Sequence, residues 1–156
     1  MRRYPRQTMG LLRMGLLRGS VGFTGYGHRR ATSQVRSKVS AWAHVAGEQY
    51  CYLTTRGRVS GRPHRIEIWF AIDDGTLYML SGGGRSSDWV KNLLHSPSVV
   101  VEIGSGRFAG QARIVADPAE EERARALVHD KYAGSYGGDL TGWRRSALPI
   151  AVDLEG

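Results

Sequence analysis

A short basic segment between two apolar runs of this chain has the residue types that could bind an anion. It reads RGRVSGRPHR and contains four arginines, a serine and two glycines: Arg56, Arg58, Arg62, Arg65, Ser60, Gly57 and Gly61. A turn of this composition can present backbone N–H groups beside a hydroxyl and guanidinium groups. That arrangement suits a phosphate or a run of carboxylates, although a hairpin tip with solvated arginines would have the same composition.

A second turn, rich in glycine, adds to the evidence for an anion site. In LSGGGRSSDW, three consecutive glycines follow Ser81 and precede a helix start near Asp88. Glycines allow close approach of a ligand, and the first turn of a helix carries partial positive charge. Either turn alone is weak evidence, because glycine-rich loops often only change the chain direction. Two such turns flanking one hairpin indicate a bound anionic cofactor.

Other kinds of site have little support in the sequence. The five histidines show no paired metal-ligand spacing, so we expect no metal. The lone Cys51 excludes an intramolecular disulfide and fits a reducing cytosol, and its aromatic and β-branched neighbours predict a buried strand residue. The segment GRVSG lacks the Gly-x-Ser-x-Gly spacing of a nucleophile elbow.

The net positive charge of the chain comes from residues 1–38. Residues 1–38 hold nine Lys or Arg and no acid, which leaves 13 basic and 14 acidic residues in the remainder. Arg13 and Arg18 interrupt the apolar pieces of this part, so it lacks the run of a signal peptide or membrane span. We expect residues 1–32 to be a disordered tail, with peripheral contact to an anionic membrane as the alternative. No basic aromatic platform continues beyond it, so nucleic-acid binding is not expected.

The rest of the chain has the elements needed to position the two turns. Six segments between turn signals have the residue pattern of β-strands. They lie at residues 49–55, 64–72, 76–81, 98–104, 107–116 and 148–154. Helices are predicted over 33–46, between Ser87 and Pro97, and after an N-cap at Asp117 with Glu120 completing a capping box. Hairpin-connected strands with few helices predict a mainly β, α+β domain over 33–156, a small antiparallel barrel rather than a parallel nucleotide-binding fold.

Residues 41–155 resemble the deazaflavin-dependent nitroreductase family. The matches to its Thr-Thr, Gly-Arg-x-Ser-Gly, Ser-x-Gly-Gly and Trp-x-x-Asn-Leu pattern are Thr54, Thr55, Gly57, Arg58, Ser60, Gly61, Ser81, Gly83, Gly84, Trp89, Asn92, Leu93 and Pro97. The resemblance implies a split β-barrel like that of pyridoxamine phosphate oxidases, with about three helices. It also implies hydride transfer from reduced coenzyme F420 to a quinone, nitroaromatic or other conjugated acceptor.

The resemblance also implies which residues bind the coenzyme. Arg58, Ser60 and Gly61 would hold its phosphate and glutamate tail, and the glycine-rich loop with Trp89 would lie against the ring. The full predicted set is Arg56, Gly57, Arg58, Ser60, Gly61, His64, Ser81, Gly82, Gly83 and Trp89. Val59 and His64 stand where many relatives have basic residues, and neighbouring Arg56, Arg62 and Arg65 would compensate.

The resemblance places the acceptor near aromatic residues, and here other interpretations remain open. Trp69, on the strand face opposite the aliphatic residues, and Tyr132 and Tyr136, in a segment like the substrate lid of the family, are the predicted substrate contacts. An ordinary barrel exterior and an aromatic-anchored loop would have the same sequence. The alternative functions are an FMN- or haem-binding barrel and a non-enzymatic module that associates with a membrane or a nucleic acid through the basic tail. Split barrels occur as monomers and as homodimers, so the sequence leaves the oligomer open.

Overall fold

The computed structural model describes residues 42–156. The predicted tail and most of the helix predicted over 33–46 lie outside these residues. Of that helix, Trp42 and Ala43 are helical and the chain then turns through Ala46. Trp42 and Val45 are buried, which agrees with the apolar stripe that predicted the helix.

Seven strands and three helices form this part of the chain. The strands are β1 (Cys51–Arg56), β2 (Pro63–Ile68), β3 (Ala71–Asp73), β4 (Thr76–Ser81), β5 (Ser98–Ile103), β6 (Gly106–Ile114) and β7 (Leu148–Leu154). The helices are α1 (Asp88–His95), α2 (Pro118–Ala133) and α3 (Thr141–Ser146), and a single 3₁₀ turn at Gly84–Ser86 precedes α1. Six strands were predicted. The seventh arises because the run over 64–72 is divided at Trp69 and Phe70 into β2 and β3.

The strands form one antiparallel sheet in the order β2-β1-β5-β6-β7-β4-β3. Although β2 and β3 occupy opposite edges of this sheet, only two residues separate them along the chain. Because two intervening residues allow the end of β2 and the start of β3 to lie no more than about 11 Å apart, the sheet must curl until its edges approach each other. The result is the predicted split barrel.

The inner face of the curled sheet encloses the main core, as the alternation in the strands predicts. Its large buried members include Leu53, Ile68, Phe70, Leu77, Met79, Val101, Ile103 and Ile150 from the sheet, with Val90 and Leu93 from α1. Helix α2 covers part of the outer face with Ala124, Val128 and Tyr132 and forms a second core there. Strand β4 lies between these two cores, so its residues from Leu77 to Ser81 are all buried.

The start of α2 confirms one half of the predicted capping box and corrects the other. The Asp117 carboxylate accepts a hydrogen bond from the Glu120 backbone N–H at 2.8 Å. The Glu120 carboxylate, however, binds the Arg113 guanidinium through two bonds of 2.8 and 2.9 Å and accepts a third from the Tyr78 hydroxyl. The arginine bonds, together with that of Tyr78, lower the pKa of Glu120 to about 2. A charged guanidinium is a stronger partner than a backbone N–H, and this pairing ties α2 to the sheet.

Lys131 has a buried ammonium group near the C-terminal end of α2. Its Nζ has no hydrogen-bond partner among residues 42–156 and lies 3.7 Å from the centre of the Phe70 ring. Burial lowers the pKa of this amine from 10.5 to about 8. The protonated form, which dominates near neutral pH, therefore destabilises the folded state relative to a neutral group.

Replacing Lys131 by methionine is expected to raise the free energy of unfolding at pH 7, on the order of 1 kcal/mol, because an apolar side chain of similar length has no charge to desolvate. The advantage should shrink as the pH rises from 8 to 10.5, because the wild-type amine then loses its proton in the folded state more readily than in the unfolded state. Urea unfolding at several pH values measures this difference. Lys91→Met, at an exposed position of α1, is the control; a destabilised Lys131→Met protein at pH 7 would contradict the prediction.

Candidate functional site

The basic segment forms a tight turn between β1 and β2, as predicted. The Gly57 N–H donates to the Arg62 carbonyl and the Gly61 N–H donates to the Gly57 carbonyl, both at 2.8 Å. A Cβ atom at Gly57 would lie 2.7 Å from the Ser60 hydroxyl oxygen, and Gly61 has a φ of +70°. The φ of Gly61 favours glycine, and a side chain at Gly57 would displace the Ser60 hydroxyl and lie 3.2 Å from the Arg62 carbonyl oxygen, so both glycines suit a compact loop.

Helix α1 holds Arg58 in place. The backbone N–H and the Nη1 of Arg58 both donate to Asn92 Oδ1, at 3.1 and 2.9 Å. Its Nη2 donates to Asp88 Oδ1 at 3.1 Å. Asn92 is only 3% exposed, and its Nδ2 donates to the Thr55 hydroxyl of β1 at 3.3 Å. The arginine is therefore positioned from the helix before any ligand binds.

An open groove of about 250 Å³ lies between this turn and α1. Its lining residues are Gly57, Arg58, Val59, Ser60, Arg62, Pro63, His64, Asp88 and Asn92. Four of the predicted coenzyme contacts, Gly57, Arg58, Ser60 and His64, thus come together here. Arg62, which we expected to compensate for Val59 and His64, also lines the groove. It forms no ion pair within residues 42–156.

The remaining arginines of the turn point elsewhere. Arg65 donates to Glu102 Oε2 at 3.0 Å, and its guanidinium lies 3.6 Å from the centre of the Tyr52 ring. Arg56 and Gly61 line a second hollow of about 480 Å³, which the turn forms with β5 and β6. The predicted residues of the turn are therefore divided between two surfaces, and neither surface includes Ser81, Gly82, Gly83 or Trp89. Arg65 is occupied by partners on the sheet.

The glycine-rich loop leads from β4 into α1 and is held by its own serines. The buried Ser81 hydroxyl donates to the Gly84 carbonyl at 3.1 Å and lies 2.9 Å from the Ser87 hydroxyl. A Cβ atom at Gly83 would lie 2.4 Å from that Ser87 oxygen. A larger side chain at Gly83 would therefore disturb the loop before it reached any ligand. Trp89, in the first turn of α1, is partly buried against the main core.

The predicted substrate residues meet around Trp69. Its ring stacks on Tyr132, with centroids 4.3 Å apart and planes at 5°, and Tyr136 contacts it edge-on at 5.5 Å. Trp143 of α3 contacts it edge-on at 5.8 Å. A Cβ atom at Gly82 would lie 3.5 Å from the Trp143 indole nitrogen, so this aromatic cluster adjoins the glycine-rich loop.

Within the cluster, Trp69 and Tyr132 are packing residues, 7% and 2% exposed. The Tyr132 hydroxyl donates to the Gln49 carbonyl at 2.8 Å and accepts from the Phe70 N–H at 3.1 Å. Burial also raises the pKa of this phenol, so it is not a ready proton donor. Trp69 does lie on the strand face opposite the aliphatic residues, but α2 and α3 cover that face. Of the three predicted substrate contacts, only Tyr136 presents an open ring surface, at 41% exposure.

Arg125 binds the C-terminal end of α3, the helix that carries Trp143, and the sequence did not identify it. Its Nη1 donates to the carbonyls of Arg144 and Ala147 at the end of α3, the latter at 2.7 Å. Its Nη2 pairs with Glu121 one turn earlier in α2. This arginine satisfies the last carbonyls of a six-residue helix, which has few internal bonds of its own. The charge of Arg125 in an amphipathic helix gives no sequence signal for such a role.

Residues 42–156 contain neither a metal-binding cluster nor a helix that could span a membrane. No group of three or more His, Cys, Asp or Glu side chains in this range could hold a metal ion. No helix in the same range is long and apolar enough to cross a membrane.

Comparison with protein families decides the class of this protein. The F420H(2)-dependent quinone reductase family profile matches residues 28–155. The chain belongs to this family. An F420H(2)-dependent quinone reductase of Mycobacterium tuberculosis strain H37Rv is 32% identical over 106 residues, which cover 64% of this chain and 68% of that protein. The protein of strain CDC 1551 matches to the same extent. Membership makes this chain an oxidoreductase with coenzyme F420, as the resemblance implied.

Solved structures of other proteins share the fold. A conserved Mycobacterium tuberculosis protein superposes with a TM-score of 0.60 at 20% identity, covering 82% of this chain and 87% of its own. A Listeria innocua protein assigned to the pyridoxamine 5′-phosphate oxidases gives 0.58 at 21% identity, with 77% and 94% covered. An F420H2-dependent reductase gives 0.55 at 19% identity, with 69% and 94% covered. These matches confirm the predicted split barrel.

The groove beside the basic turn fits the anionic part of the coenzyme of the family. Its lining includes the guanidinium groups of Arg58 and Arg62 and the hydroxyl of Ser60, which are donors suited to phosphate and carboxylate oxygens. Asp88 is the one acidic residue in this lining, and it is paired with Arg58. The first turn of α1 faces the same groove, where its N-terminal partial charge favours an anion.

Proposed function

We propose that this groove is the coenzyme site of an F420H2-dependent quinone reductase. The observation that supports it most directly is the fixed position of Arg58, whose backbone and side chain are both bonded to the buried Asn92. A guanidinium held in place loses less conformational entropy when an anion binds. The open lining around it leaves room for the ligand.

In this proposal, the turn binds the charged end of the coenzyme. Arg58 and Arg62 contact phosphate or glutamate oxygens, with Ser60 and His64 as further hydrogen-bonding partners along the groove. The backbone N–H groups of Gly57, Arg58 and Gly61 are already bonded within the turn or to Asn92, so the proposed contacts come from the side chains. When bound in its reduced form, coenzyme F420 supplies a hydride to the acceptor.

The glycine-rich loop and the aromatic cluster form the other end of the proposed site. The loop from Ser81 to Gly83 carries no large side chain, so a planar ring can approach its backbone. Trp89 stands at the start of the following helix, and the exposed ring of Tyr136 offers an apolar surface to a quinone. These residues orient the two reactants, and the proposed domain that carries them is 33–156. Peripheral membrane contact through residues 1–32 remains part of the proposal.

Incubation of the protein with F420H2 and menadione tests the function. We expect menadione-dependent loss of the reduced coenzyme, and no comparable reaction with reduced FMN, NADH or NADPH. Reaction with one of these donors but not with F420H2 would contradict the proposal. Boiled protein and a reaction without quinone are the controls.

Coenzyme affinity is expected to weaken as salt increases. The proposed contacts are exposed charges, and such attraction is screened over ~10 Å at ~0.1 M salt. Titration of the coenzyme fluorescence with protein, across a series of NaCl concentrations, measures the dissociation constant. An affinity that does not change with salt would indicate that ring contacts dominate and that the basic turn is not the clamp.

A further inference from the structure

Arg58 has two acceptor side chains that differ in their environment, and its Nη1 also donates to the Asp88 backbone carbonyl at 3.5 Å. Asn92 is buried, uncharged and bonded to Thr55 as well as to Arg58. Asp88 is charged, and its side chain is 73% exposed against 33% for Arg58. One partner is therefore built into the interior, and the other lies at the open face of the groove.

The Asn92 contacts are costly to break when a ligand binds. Loss of them would leave the buried Oδ1 of Asn92 without a donor, and an unpaired polar atom is costly inside a protein. The Arg58 backbone N–H donates to the same Oδ1 atom, so this oxygen keeps one bond even when the side chain moves. Asn92 is therefore a fixed support of the turn.

The Asp88 contact has the opposite character. An exposed ion pair contributes little to stability, so it can break at low cost. Its carboxylate accepts from Nη2 of Arg58, at a groove-lining position where an anionic ligand would also bind. A bound phosphate or carboxylate and the Asp88 carboxylate would repel each other around one guanidinium.

We infer that Asp88 is an intramolecular competitor for Arg58. In the free protein the Asp88 carboxylate binds the Arg58 guanidinium. When the coenzyme binds, one of its anionic groups replaces the Asp88 carboxylate on Arg58, while Asn92 keeps Arg58 in position. This inference rests on the proposed coenzyme site. Asp88 would lower the affinity for every anion and would exclude those that bind weakly, since a ligand must make better contacts than the carboxylate that it displaces.

The test is the change Asp88→Asn, which removes the charge and keeps the shape. We expect the dissociation constant of coenzyme F420, from fluorescence titration, to fall about three- to five-fold, the upper part of the range for an exposed ion pair. The salt dependence of binding should become steeper, because one more uncompensated positive charge faces the ligand. Pyrophosphate, used as a simple competitor of the coenzyme, should also inhibit binding at lower concentration.

Asp74→Asn is the matched control. It removes the same charge at an exposed hairpin tip, and the φ of +49° at this position suits asparagine. We expect the dissociation constant of this variant to stay within two-fold of wild type. Equal values for Asp88→Asn and Asp74→Asn, or weaker binding by Asp88→Asn, would overturn the inference.

Arg58→Ala separates this inference from the proposed site. In the Arg58→Ala background, Asp88→Asn should change the coenzyme dissociation constant much less, because the guanidinium for which Asp88 competes is then absent. If wild-type protein binds the coenzyme and Arg58→Ala binds it equally well, the groove is not the coenzyme site. If Arg58→Ala weakens coenzyme binding and Asp88→Asn does not strengthen it, the proposed coenzyme site is supported, and the inference that Asp88 competes for Arg58 is wrong.

Discussion

Replacing Arg58 by alanine is expected to weaken coenzyme F420 binding about ten-fold to a hundred-fold, which corresponds to roughly 1.5 to 3 kcal/mol, the scale of one charge-assisted hydrogen bond. Turnover at saturating coenzyme should fall much less, because in the proposed site the arginine contacts the charged tail, which is remote from the hydride. The partial exposure of Arg58 and its pairing with Asp88 place the expected loss in the lower half of this range. Fluorescence titration gives the affinity, and steady-state kinetics with menadione gives the turnover.

Arg65→Ala is the matched control for this prediction. It removes the same charge from the same hairpin, but its guanidinium is bonded to Glu102 and stacked on Tyr52. We expect its coenzyme affinity to stay within about three-fold of wild type. Equal losses in the two variants would show that the coenzyme responds to the overall charge of the turn and not to the groove. The fold should tolerate Arg58→Ala, because the backbone of residue 58 still donates to Asn92.

The features that the sequence predicted well are those that local chemistry determines. The hairpin between β3 and β4 follows from Asp74 and Gly75, both of which have positive φ values in the structure. The alternation from Ile66 to Ile72 correctly assigned the inner face, since side chains along a strand point to opposite sides. The start of α2 after Asp117 likewise depends on neighbouring residues alone.

The features that it did not predict depend on contacts between distant residues. Asn92 stood out only as part of a family motif, and nothing in the sequence shows that its amide binds Arg58, 34 residues away. A polar residue beside Leu93 on the buried face of a helix is the one available signal, because such a residue needs a partner. The pairing of Glu120 with Arg113, seven residues earlier, was also missed, because it depends on how α2 packs against the sheet.

Trp69 illustrates how burial changes the interpretation of a correctly predicted strand face. The alternation places its side chain opposite the aliphatic residues, where either solvent or a ligand could meet it. The structure covers that face with α2 and α3, whose residues Tyr132 and Trp143 contact the ring. Strand periodicity contains no information about which helix returns to cover the sheet.

Trp69→Ala is therefore expected to destabilise the fold by about 3 to 5 kcal/mol, the cost of removing a large buried aromatic side chain and leaving a cavity. The Tyr132 ring would lose its stacking partner, and the edge contacts of Tyr136 and Trp143 would be lost as well. Urea unfolding followed by circular dichroism measures the free energy of unfolding. A change below about 1 kcal/mol would contradict the packing role and would favour a ring that is open to ligands.

Tyr136→Ala should show the reverse pattern, because its ring is the exposed one of the predicted substrate contacts. We expect its free energy of unfolding to stay within about 1 kcal/mol of wild type and its KM for menadione to rise about three- to ten-fold, with the coenzyme dissociation constant unchanged.

Tyr50→Ala is the matched control: Tyr50 is similarly exposed but contacts Tyr52, outside the aromatic cluster around Trp69. If both variants leave the KM for menadione unchanged, the quinone does not contact Tyr136. If both raise it equally, the effect belongs to general loss of surface apolar area. Only a rise confined to Tyr136→Ala assigns the exposed ring to the acceptor, because that ring lies at the edge of a cluster whose other members are buried and whose Trp143 adjoins the glycine-rich loop.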